Sequence, residues 1–129
     1  MMVVQAPKVR TSDRRFRGES EIADARAWLT ALLPIRSGIP EDTAAAAVLC
    51  LSEVATSAVV RAGAADLSVS LGGSWLYVEC RAAVEPASVG APSPDTGQQG
   101  YTTALVEAFT NEWGRLPDGR GVYFYLHWS

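Results

Sequence analysis

Apolar and polar positions change their spacing several times along this chain, and each change predicts an element. Residues 1–12 show no period and predict a loose tail, which leaves 13–129 as one folded domain. The stretch RRFRGE, Arg14–Glu19, predicts a short edge strand. Ile22, Ala25, Trp28, Leu29 and Leu32 then recur at helical spacing, so ESEIADARAWLTALL predicts an amphipathic helix with Ser20 as N-cap and Pro34 as stop. After the turn RSGIP, a second helix starts near Pro40 or Glu41 and runs to Gly63, a C-terminal cap. It is alanine-rich and apolar on most faces, the pattern of a helix buried against a sheet.

The period then becomes two. ADLSVSL places Leu67, Val69 and Leu71 on one face, Gly72-Gly73 makes a tight turn, and SWLYVECRA returns with Leu76, Val78 and Cys80 on one face. This is an antiparallel hairpin. Residues 83–99, AVEPASVGAPSPDTGQQ, break every period and predict a long loop, a lid, a binding loop or a segment without fixed structure. A helix follows from about Gly100 to Asn111, then a short strand in EWGRL, a turn at Pro117-Asp118-Gly119 and a last strand in GVYFYLHW. This order predicts an α+β fold, a two-layer sandwich of one mostly antiparallel sheet of about five strands with three helices on one face.

Composition narrows the function classes. The chain has 129 residues, 48% of them hydrophobic, enough for one core. Its net charge of −3 argues against a general nucleic-acid binder, although Lys8, Arg10, Arg14, Arg15 and Arg17 cluster near the start as a solvated basic edge. Cys50 and Cys80 fall in helix and strand interiors and predict buried, reduced thiols; no zinc spacing exists. The first residues lack an apolar core followed by a cleavage site, and no apolar run is expected to span a membrane, so a cytoplasmic protein without membrane or nucleic-acid partners is expected. Neither a P-loop nor a GxSxG pattern is present, and His127, the only histidine, has no visible catalytic partner.

The order of the pieces resembles the histidine-kinase-like ATPase domains of the Bergerat fold, and within them the anti-sigma-factor serine kinases. LSEVATSAVVRAG, residues 51–63, resembles that family's SELxTNAxxHA motif; VECRAAV takes the place of its strand ending in Asp and Gly. GQQGYTTALVEAFTNEWG resembles its lid glycines followed by GLxLVxxLxDxWG, and DGRGVYFYLHW its last hairpin. The resemblance covers roughly residues 14–128.

The resemblance implies roles residue by residue. Glu53 takes the position of the general base, and Ser57, four residues on, replaces the Asn that ligates Mg²⁺; its shorter side chain makes it a weak Mg²⁺ candidate. Ala82 stands where the family's Asp accepts a hydrogen bond from adenine, and Val84 where it keeps a small Gly. A charged acceptor is worth about 1.5–3 kcal/mol, so its loss costs about tenfold or more in affinity. In the lid Gly97 and Gly100 survive, but a further glycine has become Thr102. Arg61 takes the place of a basic and His pair and is a candidate phosphate contact or a surface residue.

Three functions stay open on this basis. The first is a regulatory protein-binding module, similar to an anti-sigma factor that has lost productive ATP binding, which sequesters a sigma factor or pairs with its antagonist and needs no cofactor. The second is an active serine kinase using ATP and Mg²⁺ with Glu53 as base. The third is a cleft reused for another small ligand. A homodimer is a further expectation, with the aromatic last strand and the RRFRGE edge as candidate surfaces.

Overall fold

A computed structural model of the chain describes residues 10–33, 38–84 and 104–128. The elements run β1 (Arg10–Arg17), a 3-10 turn (Glu19–Glu21), α1 (Ile22–Leu32), α2 (Glu41–Ala62), β2 (Gly63–Leu71), β3 (Trp75–Val84), a helical segment α3 described over 104–109, β4 (Glu112–Arg115) and β5 (Gly121–His127). The strands form one sheet in the order β1-β2-β3-β5-β4, every neighbouring pair antiparallel. The fold is the expected α+β two-layer sandwich.

The alternation in β2, β3 and β5 decides which face is covered. Leu67, Val69, Leu76, Val78, Cys80 and Phe124 are all buried in one core with Ala47, Cys50, Leu51, Val54 and Ala55 of α2. The alanines of α2 have little side chain to interpose, so the helix lies close over β2 and β3. Fully burying a leucine contributes about 1.5–3 kcal/mol, and Leu29, Leu51, Leu67 and Leu76 are each at most 1% exposed. Val106 brings α3 into the same core, and Phe16 of β1 meets Trp28 of α1 with ring centroids 5.5 Å apart. By length and composition α2 would suffice to cross a membrane, contrary to expectation; here one side of it packs on the sheet and on α1, while Leu49 stays 40% exposed.

The opposite face carries polar and aromatic side chains. Arg15 grips Asp66 with two hydrogen bonds of 2.6 and 2.8 Å, and Arg81 bridges Glu79 and Asp118. Tyr77 and Tyr123 lie 5.6 Å apart, centroid to centroid, and Tyr125 and His127 5.7 Å. His127 thus shares a face with Tyr123 and Tyr125, as the alternation predicts.

Several boundaries move. β1 begins at Arg10, inside the expected tail, because Arg10–Ser12 pair with Val69–Leu71. Ser20 is not the N-cap of α1: it lies in the 3-10 turn, and Glu21 is the cap residue, with no side-chain cap bond. Gly63 caps α2 as expected, with φ +102°, and passes directly into β2. β3 continues to Val84, because Ala83 and Val84 pair with Ala64 and Gly63 where a loop was expected to begin. Asn111 is not helical; its Oδ1 accepts the His127 N–H at 2.9 Å. Most of the expected loop, and with it Gly97, Gly100 and Thr102, lies outside the described residues.

Candidate functional site

α2 separates two recesses. The first is a cleft where α2 meets the ends of β3, β4 and β5. It is lined by Ser57 and Arg61 of α2, Ala82 of β3, Trp113 and Arg115 of β4, and Arg120 of the following turn, over a floor that includes Val54 and Cys80. Its volume is about 90 Å³. Beyond Arg61 and Arg120 it adjoins a surface recess of about 570 Å³ that includes Val84 and the Arg81–Asp118 pair. The second lies on the other side of α2, against α1. This groove of about 950 Å³ has Leu33, Ile39, Ala45, Val48 and Leu49 as its apolar lining and Arg26, Glu41 and Glu53 among its polar groups.

The structure brings three of the expected site residues, Ser57, Arg61 and Ala82, into one cleft. Glu53 is not among them. It lines the α1–α2 groove, near Ser52, whose Oγ accepts a hydrogen bond from the Arg26 guanidinium at 3.2 Å. The reason is helical geometry: four residues advance about 40° beyond a full turn, which carries Ser57 over the crest of α2 and leaves Glu53 behind. Val84 is 79% exposed at the end of β3 and does not line the cleft.

The described lining of the cleft does not fit the nucleotide chemistry that the resemblance implies. Magnesium takes oxygen ligands, with carboxylates or phosphates supplying the charge. Among the described residues Ser57 is accompanied by Arg61, Arg115 and Arg120 and by no carboxylate, and no group of three His, Cys, Asp or Glu side chains could hold a metal. Ala82, at the position where the resemblance implies an adenine acceptor, brings only a methyl group to the cleft. The volume is well below the roughly 300–1,000 Å³ of an ordinary ligand cleft.

The turn after β4 builds one wall with little freedom. Gly119 has φ +70°, which favours glycine, and a Cβ on Gly121 would stand 1.9 Å from the Cys80 carbonyl oxygen. Between them the Arg120 N–H donates to Asp118 Oδ1 at 2.9 Å, and the Arg120 carbonyl accepts from the Ala82 N–H at 2.9 Å. The first of these bonds, with the Arg81 guanidinium, holds the Asp118 carboxyl below the usual carboxylate range. Cys80 donates its S–H to the Val54 carbonyl at 3.5 Å, and burial pushes its thiol up to about 12, so it is an inert floor group. Burial, and then the nearby Glu53 charge, push Cys50 up to about 11. Both cysteines are free and buried, as expected.

Sequence reasoning missed Trp113, Arg115 and Arg120 as cleft residues, and it missed the α1–α2 groove. PDGRG, residues 117–121, held a signal: an arginine set between two glycines of a tight turn. The groove had a weaker one, the apolar Val48 and Leu49 on the α2 face away from the sheet. No protein-family model matches the chain, and no curated protein matches it.

Proposed function

We propose that this chain is a regulatory protein-binding module, an ATPase-like domain of the anti-sigma-factor type that has lost productive ATP binding. The observation that carries the reading is the contrast across α2. The cleft offers neither an adenine acceptor at Ala82 nor a carboxylate beside Ser57, while the α1–α2 groove offers an open apolar surface. Leu49, at 40% exposure, stands in that groove with charged Arg26 and Glu53 around it. An apolar trough between two helices suits an amphipathic helix laid along it, with the rim charges setting orientation. The partner on this reading is a sigma factor or its antagonist, and the module works in the cytoplasm by sequestration rather than by phosphate transfer.

The test is binding of the wild-type protein and Leu49→Asp to the purified sigma factors and anti-sigma antagonists of its own source cell, one at a time, by analytical ultracentrifugation. At least one should bind the wild type. Leu49→Asp should weaken that complex by about 2 kcal/mol, as for a central interface anchor, and change folding stability by no more than about 0.5 kcal/mol. No complex with any of them would overturn the reading.

A further inference from the structure

Three guanidinium groups line the cleft beside α2, and among its described lining residues no carboxylate does. Arg61 comes from the last turn of α2, Arg115 from the end of β4 and Arg120 from the turn before β5. None of the three forms a salt bridge with a described residue, although the Asp118 carboxylate in the adjoining recess attracts Arg120; Arg15 and Arg81 on the sheet's outer face are both paired with carboxylates. The chain carries a net charge of −3, so a basic composition does not explain the grouping.

Interaction with the helix dipole accounts for a cation at the C-terminus of α2, which is Arg61 alone. Arg115 and Arg120 sit on other elements. The Arg120 backbone is held on both sides, through its N–H to Asp118 and its carbonyl to Ala82, so its side chain starts from a fixed point at the mouth. Like charges gathered around a concave surface repel one another and focus the field for an anion. Guanidinium groups bind phosphate and carboxylate with two parallel hydrogen bonds and with less hydration to lose than an ammonium. The volume of about 90 Å³ admits one small group, and Val54 and Trp113 give it an apolar lining.

We propose that this cleft binds a small oxyanion, a single phosphate or carboxylate group, gripped by Arg115 and Arg120 with Arg61 at the helix end. The site does not depend on the protein-binding reading: the groove could be silent and the cleft still occupied. The anion is either free or carried on a small apolar body that reaches the floor. Two probes separate these sources, inorganic phosphate and phenyl phosphate.

Each probe is titrated calorimetrically into the wild type, Arg115→Gln, Arg120→Gln and Arg26→Gln, with sodium chloride at matched ionic strength as control. Trp113 fluorescence, identified by its loss in Trp113→Phe, gives a second readout at the site. The expected result is saturable one-to-one binding in the low-millimolar range or tighter, weakened about tenfold in Arg115→Gln and in Arg120→Gln and unchanged in Arg26→Gln. Tighter binding of phenyl phosphate supports an organic ligand, and equal binding a free anion. The two guanidinium groups are exposed, so both variants should keep the wild-type melting temperature. The proposal is overturned by no saturation up to tens of millimolar, by an equal response to chloride, or by unchanged affinity in both Arg115→Gln and Arg120→Gln.

Discussion

The two recesses beside α2 are neighbours with opposite chemistry. The cleft is small, lined by Arg61, Arg115 and Arg120, and built where helix, strand ends and turn converge. The groove is long and largely apolar, and the carboxylates Glu41 and Glu53 stand among its lining residues. A difference of about 40° around the helix sends Ser57 to one and Glu53 to the other. Two residues that the resemblance implies should act together thus line different recesses, while remaining neighbours one turn apart on α2. A motif spaced four apart specifies a helix face only to within that angle; which recess each side chain enters depends on what packs over the crest.

The comparison breaks most sharply at Gly121. Gly121→Val would drive a side chain into the Cys80 carbonyl, 1.9 Å from where a Cβ would stand. It should cost about 3 kcal/mol or more in chemical denaturation, because β3 and β5 must separate. If the protein stays folded, the cleft should lose its shape while the groove, built without either strand, keeps its own.

A smaller effect is expected in alkali, and it probes the buried cysteines of the core together with Tyr77 on the outer sheet face. Cys50 and Cys80 are pushed up from 9.0 to about 11 and about 12, and burial with the Glu79 hydrogen bond pushes Tyr77 up from 10.0 to about 12. The unfolded chain gives up these protons first. The stabilisation is therefore complete below about pH 9 and is lost as pH rises through the folded values. Each group contributes a slope of up to about 1.4 kcal/mol per pH unit. Unfolding free energy measured from pH 7 to 11 should be level and then fall, and Cys80→Ala should make the fall shallower.

The smallest effect lies on the outer sheet face, where Arg15 and Asp66 border the surface recess that adjoins the cleft. Hydrogen bonding to Arg15 lowers the Asp66 pKa, but both side chains are more than 40% exposed, so Asp66→Asn should cost no more than about 1 kcal/mol at neutral pH. In the wild type this contribution is present above the ordinary carboxylate range and is lost as pH falls through the lowered value. An acid limb shallower in Asp66→Asn than in the wild type, with the remaining fall left to Asp118 and other carboxylates, checks it.

The layers of the fold were legible because burial imposes period. Leu67, Val69 and Leu71 alternate because one face of β2 meets α2, and Gly63 marks the helix end because a left-handed residue is needed there. Strand ends were less legible. Arg10–Ser12 carry no apolar signal, and they enter the sheet because β2 is long enough to pair with them. The site was legible only in part. Ser57, Arg61 and Ala82 reach one cleft by helix and strand spacing, but Trp113, Arg115 and Arg120 join them through the register of β4 on β5. The turn in PDGRG marks that hairpin locally, but its pairing with β3, which sets Arg120 beside Ala82, is a long-range fact that no local pattern states.

The most direct test of the account is calorimetric titration with ATP, with and without Mg²⁺, followed by competition with inorganic phosphate. A cleft without adenine acceptor or carboxylate predicts millimolar binding at best, unaffected by Mg²⁺ and removed by phosphate. Micromolar binding that requires Mg²⁺ would contradict it, and would return Glu53 and Ser57 to a working nucleotide site.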